Sequence, residues 1–185
     1  MRKSHFRESM PIQNDYFDIV GPLVQELEAR NLSPVLVGGV ALVALGSQRV
    51  TKDFDFIVSR QDSTLEEIVK IFYRHGFELV SKFNEKREIV RTIDNANIAA
   101  ARLKLDAPDS AFFYYPEKDF KVDILIDFPL PAKEIVEKSM TIKVKKYPIR
   151  IASPEDLIRL KEIAYADRKS ASDAQDLEFL KKLSK

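Results

Sequence analysis

The chain has 185 residues, 30 Lys and Arg against 29 Asp and Glu, a formal net charge of +1 and no Cys. A domain of this length buries roughly 70% of its unfolded surface and needs no staple, and the missing Cys excludes disulfides, thiolate zinc sites and a cysteine nucleophile. The even charge balance excludes a global field that steers nucleic acid, and the two His, His5 and His75, exclude a histidine-rich metal centre.

Residues 1–13 read as a loose arm without the apolar core of a signal peptide. Asn14 is placed to cap a helix over about 15–30, with Phe17, Val20, Leu23, Val24 and Leu27 on one face; Gly21-Pro22 predicts a kink or a split in it. Val35–Val37 reads as a first strand. The pair Gly38-Gly39 follows, then a short helix over about 40–46 that Gly46 ends. Phe54–Val58 reads as a second strand. Ser63-Thr64-Leu65-Glu66 has capping-box spacing and opens a helix with Leu65, Ile68, Val69 and Phe72 as its apolar stripe and Gly76 just past its end. Phe77–Val80 reads as a strand.

Between 81 and 110 the pattern is weaker. Ile89-Val90 suits a strand; Ile98–Leu105 suits a strand or, through Ala99–Ala101, a helix. Ala111–Tyr115 and Lys121–Phe128 read as paired strands around Pro116–Asp119, and Thr141–Lys145 and Ile149–Ile151 as another pair across Tyr147-Pro148. Ser153-Pro154-Glu155-Asp156 is a helix start: a cap, a proline in the first turn, then acidic residues. That helix runs to about Arg168, and Ser172 caps a last one through about Leu183. No apolar run nears the roughly 20 residues of a membrane helix. A soluble cytoplasmic α/β or α+β protein is expected: a core over 1–152 and C-terminal helices over 153–185 packing on the same domain.

The chemistry lies in the strands. Side chains alternate along a strand, so Asp53 and Asp55 point the same way. In Val122-Asp123-Ile124-Leu125-Ile126-Asp127-Phe128, Asp123 and Asp127 share a face with Leu125 while the apolar residues take the other. A carboxylate in so apolar a strand needs a partner. A divalent cation shared by Asp53, Asp55 and Asp123 supplies one, and hard oxygen ligands suit Mg²⁺ or Mn²⁺. Gly38 and Gly39 allow close backbone approach, and a helix start behind them favours an anion. Metal carboxylates beside a phosphate-friendly turn point to a nucleoside triphosphate.

These residues resemble the nucleotidyltransferase-fold superfamily of the DNA polymerase β type. Its pattern is an apolar residue, Gly, Gly or Ser, a spacer, Asp-x-Asp and a third acidic residue on a later strand. Gly38, Gly39, Asp53, Asp55 and Asp123 fill those positions, with residues 40–52 as the spacer. Arg49-x-Thr51-x-Asp53-x-Asp55 and the helical run Lys161, Ala164, Arg168, then Asp173-x-x-Asp176-Leu177, are similar to the bacterial AbiEii/AbiGii-type nucleotidyltransferases. The resemblance spans about 35–180.

It implies a nucleotidyltransferase fold, a small mixed sheet flanked by helices, with C-terminal helices closing a cleft. It implies transfer of a nucleoside monophosphate from an NTP to an acceptor hydroxyl on RNA or tRNA, a small molecule or a protein. Asp53, Asp55 and Asp123 are then the catalytic metal ligands. Gly38, Gly39, Arg49, Thr51, Lys161 and Arg168 bind the nucleotide, and Asp173 and Asp176 orient the cations. A toxin–antitoxin pair, with a cognate antitoxin as partner, fits this group. The alternative is an inactive nucleotide- or RNA-binding module of the same fold. Other polar residues read as structural: His75 at a helix end, Asp127 at a strand end, Tyr114 and Tyr115 as strand packing, and Lys143, Lys145, Lys146 and Arg150 as a solvated hairpin.

Overall fold

The computed structural model describes residues 15–60 and 64–183. Its elements are helix α1 (Asp15–Ala29), strand β1 (Val35–Val37), α2 (Gly38–Ala44), β2 (Phe54–Val58), α3 (Thr64–Arg74), β3 (Glu78–Phe83) and β4 (Ile89–Ile93). These are followed by α4 (Ala96–Asp106), β5 (Ser110–Tyr115), β6 (Phe120–Ile126), α5 (Ala132–Lys138), β7 (Met140–Val144), β8 (Tyr147–Ile151), α6 (Pro154–Arg168) and α7 (Ala171–Leu183). A loose arm over 1–13 and caps at Asn14 and Ser63 fall outside the described residues.

The strands form one mixed sheet in the order β4-β3-β5-β6-β2-β1-β8-β7. Eight strands make it larger than the small sheet expected. Two pairings are parallel, β2 with β6 and β1 with β8; the others are antiparallel. The alternation in β6 separates the two faces. Phe120, Val122, Ile124 and Ile126 are buried, while Lys121, Asp123 and Leu125 stay partly open. Phe54 and Phe56 of β2 and Phe113 of β5 join the buried face, where α1 and α3 cover them. Phe17 meets Phe54 edge-on at 5.4 Å between ring centroids, and Phe72 stacks on Phe113 at 4.0 Å. The other face of β2, β6 and β5 is left for the site.

Several local expectations change. α1 runs unbroken through Pro22 and is not split. The missing Pro22 N–H frees only the Asp18 carbonyl, in the exposed first turn where water serves it. Gly21 is required for a different reason: a Cβ there would overlap the Tyr147 ring of β8. α2 begins at Gly38 rather than at residue 40. Residues 98–105 are helical, because the Asn95 side chain accepts from the Asn97 and Ile98 amides at 2.9 and 3.1 Å and starts α4. Ser170, not Ser172, caps α7, its Oγ accepting from the Asp173 amide at 3.1 Å. α5 had no sequence expectation. Asp127 leaves the face it was expected to share with Asp123: the strand ends at Ile126, and Asp127 takes a left-handed φ of 51°. Its carboxylate accepts from the Arg60 and Ala132 amides at 2.7 and 2.8 Å, a structural role.

Candidate active site

β1 runs straight into α2. Gly38 makes that turn at a φ of +65°, and a Cβ at this position would overlap the Asp55 carboxylate. The glycine therefore serves both a left-handed turn and close approach to Asp55. At Gly39 a Cβ would lie 3.1 Å from both Arg49 Cζ and Thr51 Cγ2, so the following loop packs tightly over the turn.

Parallel pairing of β2 with β6 sets Asp55 in register with Asp123. Asp53, two residues earlier, accepts from the Lys121 amide through Oδ1 at 3.2 Å. The Lys121 ammonium lies 3.3 Å from Asp53 Oδ2 and 3.8 Å from Asp123 Oδ2. Asp123 Oδ1 is buried and has no hydrogen-bond partner among the described residues. Burial pushes the Asp55 carboxyl up to about 6, with Asp53 adding repulsion and Lys161, Lys121 and Arg49 opposing it. Burial, then the Asp55 charge, pushes Asp123 up to about 7. Among the described residues no three His, Asp or Glu side chains are already arranged to hold a metal ion. A lysine ammonium partly neutralises the carboxylates instead.

α6 and α7 form the opposite wall. Lys161 Nζ lies 3.0 Å from Asp173 Oδ1 and 2.6 Å from Asp176 Oδ2. Arg49, from the loop before β2, reaches the same Asp176 oxygen at 2.5 Å, and Arg168 reaches Asp173 at 3.2 Å. Asp173 and Asp176 are buried; burial raises Asp173, but the hydrogen bond from the Ser170 hydroxyl, then the Lys161 hydrogen bond and charge and the Arg168 charge, hold it below the usual carboxylate range. The two acids thus bind all three cations and tie α7 to both α6 and the loop before β2.

A cleft of about 920 Å³ lies between these walls. Gly38, Gly39, Arg49, Thr51, Asp53, Asp55, Asp123, Lys161, Arg168 and Asp173 all line it; Asp176 stands behind them. The cleft has further lining that the sequence reading did not single out. Lys121 was legible, since it shares a strand face with Asp123. Arg87, at the β3–β4 turn, carried no sequence signal. Phe112 pairs in register with Asp123 and, with Leu125 and Phe128, makes an apolar wall beside the carboxylates. The basic hairpin is engaged elsewhere: Lys145 pairs with Asp18 at 2.6 Å and Arg150 with Glu28 at 2.5 Å, both on α1. His75 Nε2 sits 2.8 Å from Glu26.

The family model of the nucleotidyl transferase AbiEii toxins of type IV toxin–antitoxin systems matches residues 20–184. The chain belongs to this AbiEii family. Its fold is similar to the crystal structure of an antigenic nucleotidyltransferase-like protein from Paracoccidioides brasiliensis, with a TM-score of 0.58 at 18% identity. That similarity covers 88% of this chain and 73% of the other. No curated protein matches the sequence. AbiEii membership makes nucleotidyl transfer and a toxin–antitoxin setting the frame for the cleft. Among the described residues, no helix is long and apolar enough to cross a membrane.

Proposed function

We propose that this protein transfers a nucleoside monophosphate from an NTP to an acceptor hydroxyl with the help of Mg²⁺ or Mn²⁺. The observation that carries this reading is the carboxylate group of Asp53, Asp55 and Asp123, two of them pushed well above the usual range and one with a buried, unpartnered oxygen. Such a group asks for more positive charge than Lys121 supplies, and an all-oxygen donor set suits a hard divalent cation. Asp53, Asp55 and Asp123 would hold it. A bound divalent cation there supplies charge stabilisation for the triphosphate and for the pyrophosphate that leaves.

The residues divide the rest of the work. The Gly38-Gly39 turn presents the first α2 amides, which lack intrahelical acceptors, to phosphate oxygens. Thr51 adds a hydroxyl on the same side. Lys161, Arg49 and Arg168, held by Asp173 and Asp176, offset the triphosphate charge without having to reorganise. The acceptor oxygen bonds to the α-phosphorus as the bond from that phosphorus to the bridging oxygen breaks and pyrophosphate departs. Asp123, ionised beside the cation, takes the acceptor proton.

Pyrophosphate release from NTPs that needs added Mg²⁺ or Mn²⁺ and disappears in Asp55→Asn supports the reading. Calorimetry showing no NTP–metal binding at millimolar ligand sinks it. Incubation with labelled NTPs and total RNA decides the acceptor class: label on an RNA band assigns RNA, and label elsewhere assigns a small molecule or protein. The toxin–antitoxin setting of the family supports a cognate antitoxin as partner.

A further inference from the structure

Lys121 is fixed to the carboxylate group more firmly than a surface lysine would be. Its amide donates to Asp53 Oδ1, and its ammonium lies 3.3 Å from the other oxygen of the same side chain. The same ammonium lies 3.8 Å from Asp123 Oδ2. Asp53 stands just before β2 and Asp123 lies in β6, and Lys121 stands between them. Its side chain is only 24% exposed, so the charge sits within the site. The alternation of β6 makes this obligatory: two residues before Asp123, Lys121 points to the same face. The other cations of the polar wall, Arg49, Lys161 and Arg168, are held by Asp173 and Asp176. Among the described residues, Lys121 is the cation paired with Asp53 and Asp123, which the reading above assigns to metal.

We propose that Lys121 is a built-in counter-cation, a positioning residue that holds Asp53 and Asp123 together in the metal-free protein and competes with the divalent ion for their oxygens. This rests on the metal-dependent reading. Three bare carboxylates would repel one another and splay β2 from β6; Lys121 counters that between Asp53 and Asp123, while Lys161 and Arg49 offset Asp55 from the other wall. The same charge repels an incoming divalent ion, so metal affinity is set lower than the carboxylates alone would give. The site is then held in shape before loading, at the expense of resting affinity.

Titration of the nucleotide-free protein with Mn²⁺, followed by the paramagnetic resonance of the free ion, tests this in wild type, Lys121→Met and Lys121→Arg. Lys121→Met is expected to bind Mn²⁺ about tenfold more tightly than wild type. Its thermal midpoint should fall in EDTA and return to the wild-type value at saturating Mn²⁺. Lys121→Arg, which keeps the charge, should behave as wild type. A lysine that merely packs predicts loss in both measurements, not a gain in affinity. Mn²⁺ binding by Lys121→Met that is equal to or weaker than wild type overturns the proposal and leaves nucleotidyl transfer standing. Absence of binding in both also overturns it; the same titration with NTP present then shows separately whether the metal-dependent reading survives. A Lys121→Met protein that folds only with Mn²⁺ supports the proposal, and if it folds in neither condition, Lys121→Gln takes its place in the same titration.

Discussion

At the residue scale, Asp123 is where stability and function oppose each other. Its folded-state pKa of about 7 lies above the unfolded carboxylate value, so between roughly pH 4 and pH 7 the folded state holds the extra proton. Stability from this group therefore falls as pH rises through that window. Asp123→Asn removes the penalty. In metal-free protein it should stabilise by about 1–3 kcal/mol at pH 8, with the gain shrinking toward zero below about pH 4, read as denaturation midpoints across pH. The same variant should lose at least about a thousandfold in pyrophosphate release. A variant that is less stable at pH 8 would show that the burial penalty has been misassigned. Gly38→Ala acts on the neighbouring carboxylate: its Cβ strains a positive φ and overlaps Asp55. Displacing that carboxylate by about 1 Å should cost about a hundredfold in kcat, with a smaller change in KM for the NTP. An alanine variant with wild-type kcat would show that the turn can relax without moving Asp55. Asp55 and Asp123 could be read from the sequence because strand alternation is strict and carboxylates in apolar strands stand out, whereas Asp53 stands just before β2 and is partly open. Arg87 could not, because its place in the cleft depends on how a hairpin folds over a distant strand.

At the element scale, α7 is fastened by charge more than by apolar packing; its buried residues are Asp173, Asp176 and Leu180. Asp176 joins three elements, bonding Arg49 from the loop before β2 and Lys161 of α6. Replacing it with Ala leaves a mostly buried lysine one partner short, while Arg49 is exposed enough for water to compensate. The expected cost is about 1–3 kcal/mol in chemical denaturation. A double-mutant cycle of Asp176→Ala with Lys161→Met should give a coupling above about 0.5 kcal/mol. Additive effects would mean that the acid supports α7 independently of the lysine. The helix starts were legible where a cap and an acidic first turn coincide, as at Ser153 to Asp156. Ser172 misled because Ser170 stands two residues earlier with the same chemistry, and only the backbone path decides which hydroxyl faces the Asp173 amide. Pro22 misled because the one acceptor it frees, the Asp18 carbonyl, lies in the exposed first turn of α1, open to water.

At the scale of the whole molecule, the cleft is built from chain segments far apart in sequence: a turn at residue 38, strands near 55 and 123, and helices beyond 154. Periodicity shows which face of each strand is polar. It says nothing of an order such as β5-β6-β2-β1-β8, in which two of the four steps, β6-β2 and β1-β8, join strands far apart in the chain and run them parallel. With a formal net charge of +1, the molecule has no global field to draw in a polyanion, so affinity for a triphosphate must come from groups on both walls at once. A ligand bridging the walls should therefore order both. With Mn²⁺ and a non-hydrolysable NTP analogue at about a hundredfold above Kd, mass action stabilises the folded state by about 2.7 kcal/mol. For a chain of this length that raises the thermal midpoint by about 5–10 °C. Amide hydrogen exchange should slow in Gly38–Ala44 and in Pro154–Leu183 together, because closing either wall on the ligand restrains the other through Arg49 and Asp176. Protection confined to the Gly38 turn would mean that α6 and α7 do not touch the nucleotide, and Lys161 and Arg168 would then lose their place in binding it. Asp176→Ala gives the converse check: the turn should keep its protection while the C-terminal helices lose most of theirs, because the ion pair that couples the walls is cut while the carboxylates of the sheet remain.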